Sequence, residues 1–569
     1  MKNTHSKFLW ILLLVFTVSI SVVQGQTDKK NSDDYYQQLK RGWDYMQKTY
    51  ELINRYYVDE VRPYPLLKAG IEGMLDKLDP YTVFIEREGE NRLRMITVGK
   101  YGGVGMEVGL RNKKVTVIAP IENSPASRSG IQAGDIILKI NGKSIKGWSL
   151  DKVSNTLRGK VGTKVTLLIQ RPGLDRPFEV TLTRAEIVLK DVGYAGFLGD
   201  GIGYVSLKGF TEKAPDELKL ALEKLQKRHP LQGLILDLRG NPGGLLESAV
   251  EIVNIFVPKN TLVVYTKGYR EKEYRFYTQD DPMLPEVPLV VLVNGGSASA
   301  SEIVTGALQD LDRAVIVGEP TFGKGLVQKI FNIDKIADVK LKMTTARYYI
   351  PSGRCIQKRD YAAHNDVIAV DSTDSTHHSH KFFTKHHRIV HDRGGIEPDV
   401  LVRGDSLSGV TMDMIRKNLL FDFAVKYHQE HPQFPDSNFA LTPQIKDQFK
   451  NYLKEKHFQF QIEGERELSH LKTLVKKRGY DSGILALIDS LKTKLEANKK
   501  VELKRNEPQI FELLRLELAE KYGGSTLRSK LALQQDKQAA KAVELLRHPA
   551  EIQKILAGDV VPAKAGQSR

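Results

Sequence analysis

Along the first stretch of the chain, apolar side chains recur at three- and four-residue steps, at Tyr35, Leu39, Trp43, Met46, Tyr50 and Ile53, which places them on one face of an α-helix. A second helix is expected over about 66–78, stopped by Asp79-Pro80 because proline disfavours helical backbone in the residue before it. The pair predicts an N-terminal helical module over 33–97, whose apolar stripe packs on the rest of the chain or on a partner subunit. Near residue 98 the texture changes to short β-rich runs bounded by glycine turns, with strands expected at 105–110, 115–119, 135–140 and 164–170. Ser124-Pro125-Ala126 opens a short helix, and 150–157 reads as another after the turn Asn141-Gly142. A compact β-rich domain over 98–185 follows.

From Gly201 onward strands and helices alternate, with helices expected at 215–228, 246–256 and 300–311. Leu234 to Leu238 and Leu289 to Val293 are continuous apolar runs, as parallel strands covered on both faces require. The prediction is an α/β core over 186–404, with its site at the carboxyl ends of the strands, where two loops rich in glycine and serine lie. The remainder, 405–569, is a polar, helix-rich extension. Its amphipathic stretches at 489–500 and 509–522 point to packing or docking, and it carries no chemical motif.

A chain of 569 residues needs three or four domains of ordinary size. Its 41% hydrophobic and 27% charged residues exclude a wholly disordered or polytopic membrane protein. One long apolar run stands apart: Lys2 and Lys7 precede an uncharged stretch from Phe8 to Val23, and a polar segment begins near Gln24. That run reads as a secretory signal over 1–25, cut after Gly25, because its length of about 16 residues is short of the roughly 20 that span a bilayer. The product is then exported, to the periplasm or the envelope. With Cys355 as the single cysteine no internal disulfide forms, so packing alone holds the domains. A net charge of +16 raises nucleic acid as a partner, but export and the mixing of acidic with basic residues exclude it, leaving at most peripheral attraction to anionic membrane surfaces.

Two sites of chemistry stand out. In Tyr101-Gly102-Gly103-Val104-Gly105 the glycines let successive backbone N–H groups converge on one concavity suited to a peptide carboxylate; a tight turn would need the same residues. In the core, LVVLVN runs into Gly295-Gly296 and then Ser297-Ala298-Ser299-Ala300-Ser301-Glu302. A serine at a strand-to-helix turn sits where helix N–H groups favour a developing anion, as acyl transfer needs. Ser299 and Glu302 also spell a capping box, which occurs in helices without chemistry. A serine nucleophile needs a base, and His229, at a helix end beside Pro230, is a poor one. Lys324, in TFGKGLVQ among glycines and apolar residues, is the alternative to a plain surface lysine, provided that burial lowers its pKa from about 10.4 and that Gln328 holds the neutral amine.

The segments SPASRSGIQAGDIILKINGKSI and LRGKVGTKVTL, with the glycines at 102, 103 and 105, resemble a PDZ domain. After them, LDLRGNPGGLL, VLVNGGSASASEI, GEPTFGKGLVQ, YYIPSGR and GGIEPDV resemble, in that order, the carboxy-terminal processing peptidases, or tail-specific proteases. The resemblance implies a multidomain α+β protein: an N-terminal helical module, a PDZ domain, an α/β serine peptidase core of the crotonase/Clp-protease type, and the helical C-terminal extension. It implies Ser299 as nucleophile, Lys324 as base and Gln328 in support, with Ser297 and Ser301 as bystanders. The N–H of Ala300 and that of Gly243 or Gly244, with slight preference for Gly243, would form the oxyanion hole, while Arg239, Glu302 and Thr321 brace the loops. Substrate tails would dock at Gly102, Gly103, Val104 and Gly105, with Arg158 as relay. Expected partners are protein substrates held by their C-termini and a second copy or an envelope adaptor; no cofactor and no metal is expected. The competing reading is a catalytically inactive PDZ scaffold.

This sequence departs from that pattern in an insertion over 360–394, which carries His364, His377, His378, His380, His386, His387 and His391, half of the 14 histidines. The insertion is polar and of low complexity, so it is read as a loop that captures metal weakly and without a defined site. Cys355 stands where serine is common and is given no catalytic role.

Overall fold

The computed structural model describes residues 34–559 apart from 87–93, 96, 200, 270, 337, 360, 362–379, 393, 437 and 463. The expected signal segment and His364, His377 and His378 lie outside the described residues. The chain divides into two bodies, one ending at Phe84 and one running from Ile85 to the C-terminus.

In the first body, α1 spans 34–56 and α2 spans Pro63–Leu75. Pro63 sits in the first turn of α2, where its missing N–H has no intrahelical partner to lose, so the helix starts ahead of the expected 66. The Tyr50 hydroxyl donates to the Pro63 carbonyl at 3.0 Å and ties the two helices.

The second body begins with the β-rich domain. β1 (Lys100–Gly103) pairs with β7 (Ala185–Val188), and an antiparallel sheet runs β2 (Met106–Arg111), β3 (Lys114–Pro120), β4 (Ile136–Ile140), β5 (Lys164–Gln170), β6 (Phe178–Thr183). The short helix α3 (Pro125–Arg128) is capped by Ser124 Oγ, which accepts from Ser127 N–H at 3.2 Å, and α4 (Leu150–Leu157) by Ser149 in the same way. Val117, Ile137, Val153, Leu167 and Ile169 form the core between helix and sheet. Among the described residues β2 pairs with β3 alone, which leaves its other edge open.

The core sheet runs β8 (Val192–Phe197), β9 (Ile202–Leu207), β10 (Gly233–Asp237), β13 (Leu289–Val293), β14 (Val315–Gly318), β19 (Val400–Leu401); only the β8–β9 pair is antiparallel. α5 (Ala214–Arg228), α6 (Leu246–Asn254) and α7 (Ala300–Asp310) cover one face, on which Val205, Leu236 and Val291 lie. The alternate residues, among them Tyr204, Ile235, Val290 and Val317, face the other side and pack on Ala542, Leu545 and Leu546 of α14 (Lys537–Arg547) and Ile552 of α15 (Pro549–Ala557). The end of the C-terminal extension is thus the second layer on the core sheet. A side sheet carries β11 (Leu262–Lys267), β12 (Tyr274–Tyr277) and the long hairpin β15 (Leu326–Asp334) and β16 (Val339–Tyr349); the sequence reading did not anticipate these. The described part of the histidine-bearing insertion forms a small hairpin, β17 (Lys381–Phe383) and β18 (Ile389–His391). The rest of the extension supplies α8 (Gly409–Arg416), α9 (Leu419–Glu430), α10 (Pro443–Glu455), α11 (Glu465–Arg478), α12 (Ser482–Arg505) and α13 (Glu507–Ala532). Phe423, Phe449, Leu514 and Leu518 make its own core.

Candidate active site

Three loops leave the carboxyl ends of the neighbouring strands β10, β13 and β14, over 238–245, 294–299 and 319–325. Between them and the side sheet lies a cavity of 880 Å³ whose lining includes Gly243, Gly244, Ser299, Ala300, Lys324 and Gln328. Six residues drawn from three stretches of sequence therefore face one space.

Ser299 precedes the first turn of α7 with φ 56° and ψ −117°, a combination uncommon for a residue with a side chain. Its surroundings hold it there. Its N–H donates to Glu302 Oε2 at 2.9 Å, and its carbonyl accepts from the N–H groups of Glu302 and Ile303 at 2.8 and 3.0 Å. The Tyr348 hydroxyl donates to that same carbonyl at 3.2 Å and to the carbonyl of Lys324. The flanking serines are committed elsewhere: Ser297 Oγ donates to the Leu238 carbonyl at 2.8 Å and Ser301 Oγ to the Asn241 carbonyl at 2.9 Å.

Glu302 is fully buried and joins the serine turn to the lysine loop. Besides the Ser299 N–H, its carboxyl accepts from Lys324 N–H at 2.9 Å, Gly323 N–H at 2.7 Å and the Thr321 hydroxyl at 2.6 Å. Burial pushes this carboxyl up to about 7, against the pull of the four donors toward the ionised form. Thr321 Oγ1 in turn accepts from Ile396 N–H at 2.6 Å, which anchors the lysine loop to the segment before β19. Gln328 follows a β-bulge between Val327 and itself, which turns it into the cavity, and its amide donates to Thr344 Oγ1 at 3.2 Å.

The loop after β10 is packed against the serine turn. Asn241 donates to the Leu207 carbonyl at 2.9 Å, accepts from Gly243 N–H at 2.9 Å, and its carbonyl accepts from Ala298 N–H at 3.0 Å. Gly243 has φ +92°, and a Cβ there would lie 2.6 Å from the Ala298 carbonyl oxygen and 2.9 Å from Ser299 Cβ. Only glycine fits so close to the candidate nucleophile. Arg239 holds Asp237 and the side chains of Asp536 and Gln538 from the extension.

Other polar and titratable side chains are held elsewhere. His229 is exposed at the C-terminal cap of α5, the end of that helix that leads into β10 and away from the loops. Asp310 pairs with Arg354 at 2.8 Å, both fully buried, in a structural ion pair. His391 lies beside Glu397, and His380 beside Asp392. Among the described residues no group of three or more histidine, cysteine, aspartate or glutamate side chains is placed to hold a metal. In the β-rich domain Gly102 and Gly103 lie on β1, Val104 is buried and Gly105 has φ +73°. A Cβ on Gly102 would lie 2.2 Å from the Gly159 carbonyl oxygen. Arg158 caps α4 with its guanidinium 5.4 Å from the Tyr101 ring centroid. None of these five residues lines the core cavity; Gly102 to Gly105 lead directly into β2. Tyr348, Asn241, Asp536 and Gln538 were not singled out from the sequence. The first two lie inside the motifs YYIPSGR and LDLRGNPGGLL, which was the available signal; the last two lie about 300 residues from the loop they touch, in a segment without a motif.

An α/β sheet with a serine at a strained strand-to-helix turn, joined to a PDZ-like domain, defines a serine peptidase that engages polypeptide. The comparisons with known proteins agree. Residues 201–367 match the model of peptidase family S41, residues 116–171 that of the PDZ domain, residues 13–89 the N-terminal domain of the activating protease CtpB, and residues 410–546 the C-terminal helical domain of PDZ proteases. The chain is 40% identical over 356 residues to a carboxy-terminal-processing protease of Bartonella bacilliformis, covering 62% of this chain and 80% of that one. It is 34% identical over 322 residues to the carboxy-terminal processing protease CtpB of Bacillus subtilis, covering 56% and 66%. Among solved structures, the photosystem II D1 C-terminal processing protease is 27% identical with a TM-score of 0.33, over 63% of this chain and 92% of that one. The chain belongs to the carboxy-terminal processing protease family of serine peptidases. It is a protease with a PDZ domain, and the reading as an inactive scaffold is set aside because its relatives are named as proteases.

Proposed function

We propose that the chain cleaves protein substrates by a Ser299/Lys324 dyad after their C-terminal tails dock on the PDZ domain. The observation that carries this reading is the Glu302 carboxyl, which accepts from the backbone of both Ser299 and Lys324 and so fixes the two loops on one cavity. The neutral Lys324 amine takes the Ser299 Oγ proton as Oγ bonds to the substrate carbonyl carbon; the ammonium then protonates the departing amine as the C–N bond breaks. Water, deprotonated by the same amine, then bonds to the acyl carbon, and the ammonium returns the proton to Ser299 Oγ as the acyl C–Oγ bond breaks. Gln328, which lines the same cavity four residues on, is assigned to position the amine without adding charge.

For the oxyanion we assign the N–H groups of Ala300 and Gly244. Gly243 N–H already donates to Asn241 Oδ1, which moves the assignment from the expected Gly243 to its neighbour. Such donors are worth about 3 kcal/mol each in the transition state. Gly243 serves by its lack of a side chain. A tail would add as a strand to the open edge of β2, its carboxylate at Gly102 to Gly105 and its bound state sensed by Arg158; a PDZ domain of the carboxy-terminal protease from Vibrio cholerae was solved in complex with a peptide. The charged-then-apolar start of the chain supports export to the periplasm or envelope.

The test is hydrolysis of an unfolded protein with an apolar C-terminus by Ser299→Ala and Lys324→Ala. Both are expected to lose activity while folding normally. A Lys324→Ala enzyme retaining most activity would refute the dyad.

A further inference from the structure

The first turn of α14 reaches both sides of the site. Asp536, its N-cap, uses Oδ1 to accept from Gln538 and Ala539 N–H at 2.9 and 3.0 Å, and Oδ2 to accept from Arg239 Nη2 at 2.7 Å. Gln538, 4% exposed, accepts from Arg239 Nη1 at 2.8 Å through Oε1 and donates to the Val402 carbonyl at 2.7 Å through Nε2. Val402 N–H in turn donates to the carbonyl of Gly318, the last residue of β14 before the lysine loop. Arg239 opens the loop that carries Gly243 and Gly244. Its Nε, and Nη2 a second time, donate to Asp237, which also accepts from the buried Tyr204 hydroxyl at 2.5 Å. Every guanidinium nitrogen of Arg239 therefore has a carboxylate or amide oxygen, supplied jointly by β10 and by the extension.

We infer that Asp536 and Gln538 are positioning residues for catalysis: through Arg239 they set the loop bearing the oxyanion donor, so the C-terminal extension completes the catalytic site as well as covering the sheet. Neither touches substrate. A planar guanidinium gripped by two carboxylates and an amide has one orientation, and removing Asp536 leaves Nη2 held by Asp237 alone, so the grip loses its anchor on the extension at that nitrogen. The loop then keeps its fold, through Asn241 and Asp237, but loses the register that places a backbone N–H within hydrogen-bonding reach of a developing oxyanion. The inference rests on the proposed assignment of the loop to the oxyanion hole.

The test uses Asp536→Ser in the full-length chain, because serine still caps α14 and takes away only the Arg239 partner. Steady-state hydrolysis of a fluorogenic peptide with an apolar C-terminus is measured alongside thermal melting. The expected result is a fall in kcat of about tenfold with KM and the melting temperature nearly unchanged. Introduced into Arg239→Lys, which cannot make the fork, the same change is expected to add less than about twofold. An unchanged kcat in Asp536→Ser, or an equal loss in both backgrounds, overturns the inference. The reading beneath it fails separately: Ser299→Ala retaining activity would remove the site itself, whereas an inactive Ser299→Ala beside a fully active Asp536→Ser removes only the role given to the extension.

Discussion

Glu302→Gln separates what holds the site together from what holds the protein together. Two forces oppose each other at this carboxyl: burial disfavours its charge, and four donors favour it. The balance leaves it near 7 in the folded chain against an ordinary value of 4.5. A folded pKa above the unfolded one means that the folded chain binds a proton here that the unfolded chain has released. This contribution to stability is therefore complete below about pH 4.5 and is lost as pH rises through about 7. At about 1.4 kcal/mol per pH unit the loss is about 3 kcal/mol. Glutamine does not titrate, so urea unfolding is expected to show wild type losing about 3 kcal/mol more than Glu302→Gln between pH 5 and pH 8.

Activity goes the other way. At pH 8 an amide oxygen in the Oε2 position still serves Ser299 and Lys324, but the NH₂ in the Oε1 position meets Gly323 N–H and a Thr321 hydroxyl already accepting from Ile396. The hydroxyl can turn; the N–H of Gly323 cannot. The lysine loop shifts, and displacements of about 1 Å reduce turnover by about a hundredfold. Glu302→Gln is thus expected to be no less stable than wild type at pH 8 and at least about tenfold slower. A stability gap that stays constant between pH 5 and pH 8 would show that burial does not govern Glu302, and undiminished kcat at pH 8 would show that its carboxylate does not position the loops.

Further outcomes follow from the packing. Gly243→Ala places a methyl 2.9 Å from Ser299 Cβ at φ +92°, and is expected to lower kcat by at least about a hundredfold, measured on folded protein. Tyr348→Phe removes the hydroxyl shared by the Ser299 and Lys324 carbonyls and is expected to cost about 1 kcal/mol per lost bond in stability, with a matching fall in kcat. Leu545→Ala opens a cavity against the core sheet and is expected to destabilise by about 2–5 kcal/mol in urea unfolding; a change below about 1 kcal/mol would show that α14 is not part of the core.

Much of this was legible in the linear chain wherever local chemistry decides. The helix at Leu150–Leu157 and the strand at Leu289–Val293 lie where the patterns place them, because caps and uninterrupted apolar runs are properties of neighbouring residues. The long hairpin Leu326–Tyr349 was not read. Most of β15 is exposed, and Lys329, Ile330, Phe331 and Asn332 show no alternation strong enough to declare a strand. Ser299 and Lys324 were readable as candidates from glycine-rich context and motif order. Which of Gly243 and Gly244 has an N–H to offer was not, since that depends on where the Asn241 side chain turns.

The sequence by itself determined that the sheet strands are apolar on both faces, and hence that something must cover each side, because exposing Ile235, Val290 and Val317 to water has no local remedy. Only the tertiary structure decided what the second cover is: helices that begin about 300 residues after β10, with no motif, matched to the sheet by shape and by Arg239 reaching Asp536 and Gln538. Apolar burial is non-directional, so a pattern states that a face is buried and not by which segment. That choice belongs to packing across the whole chain.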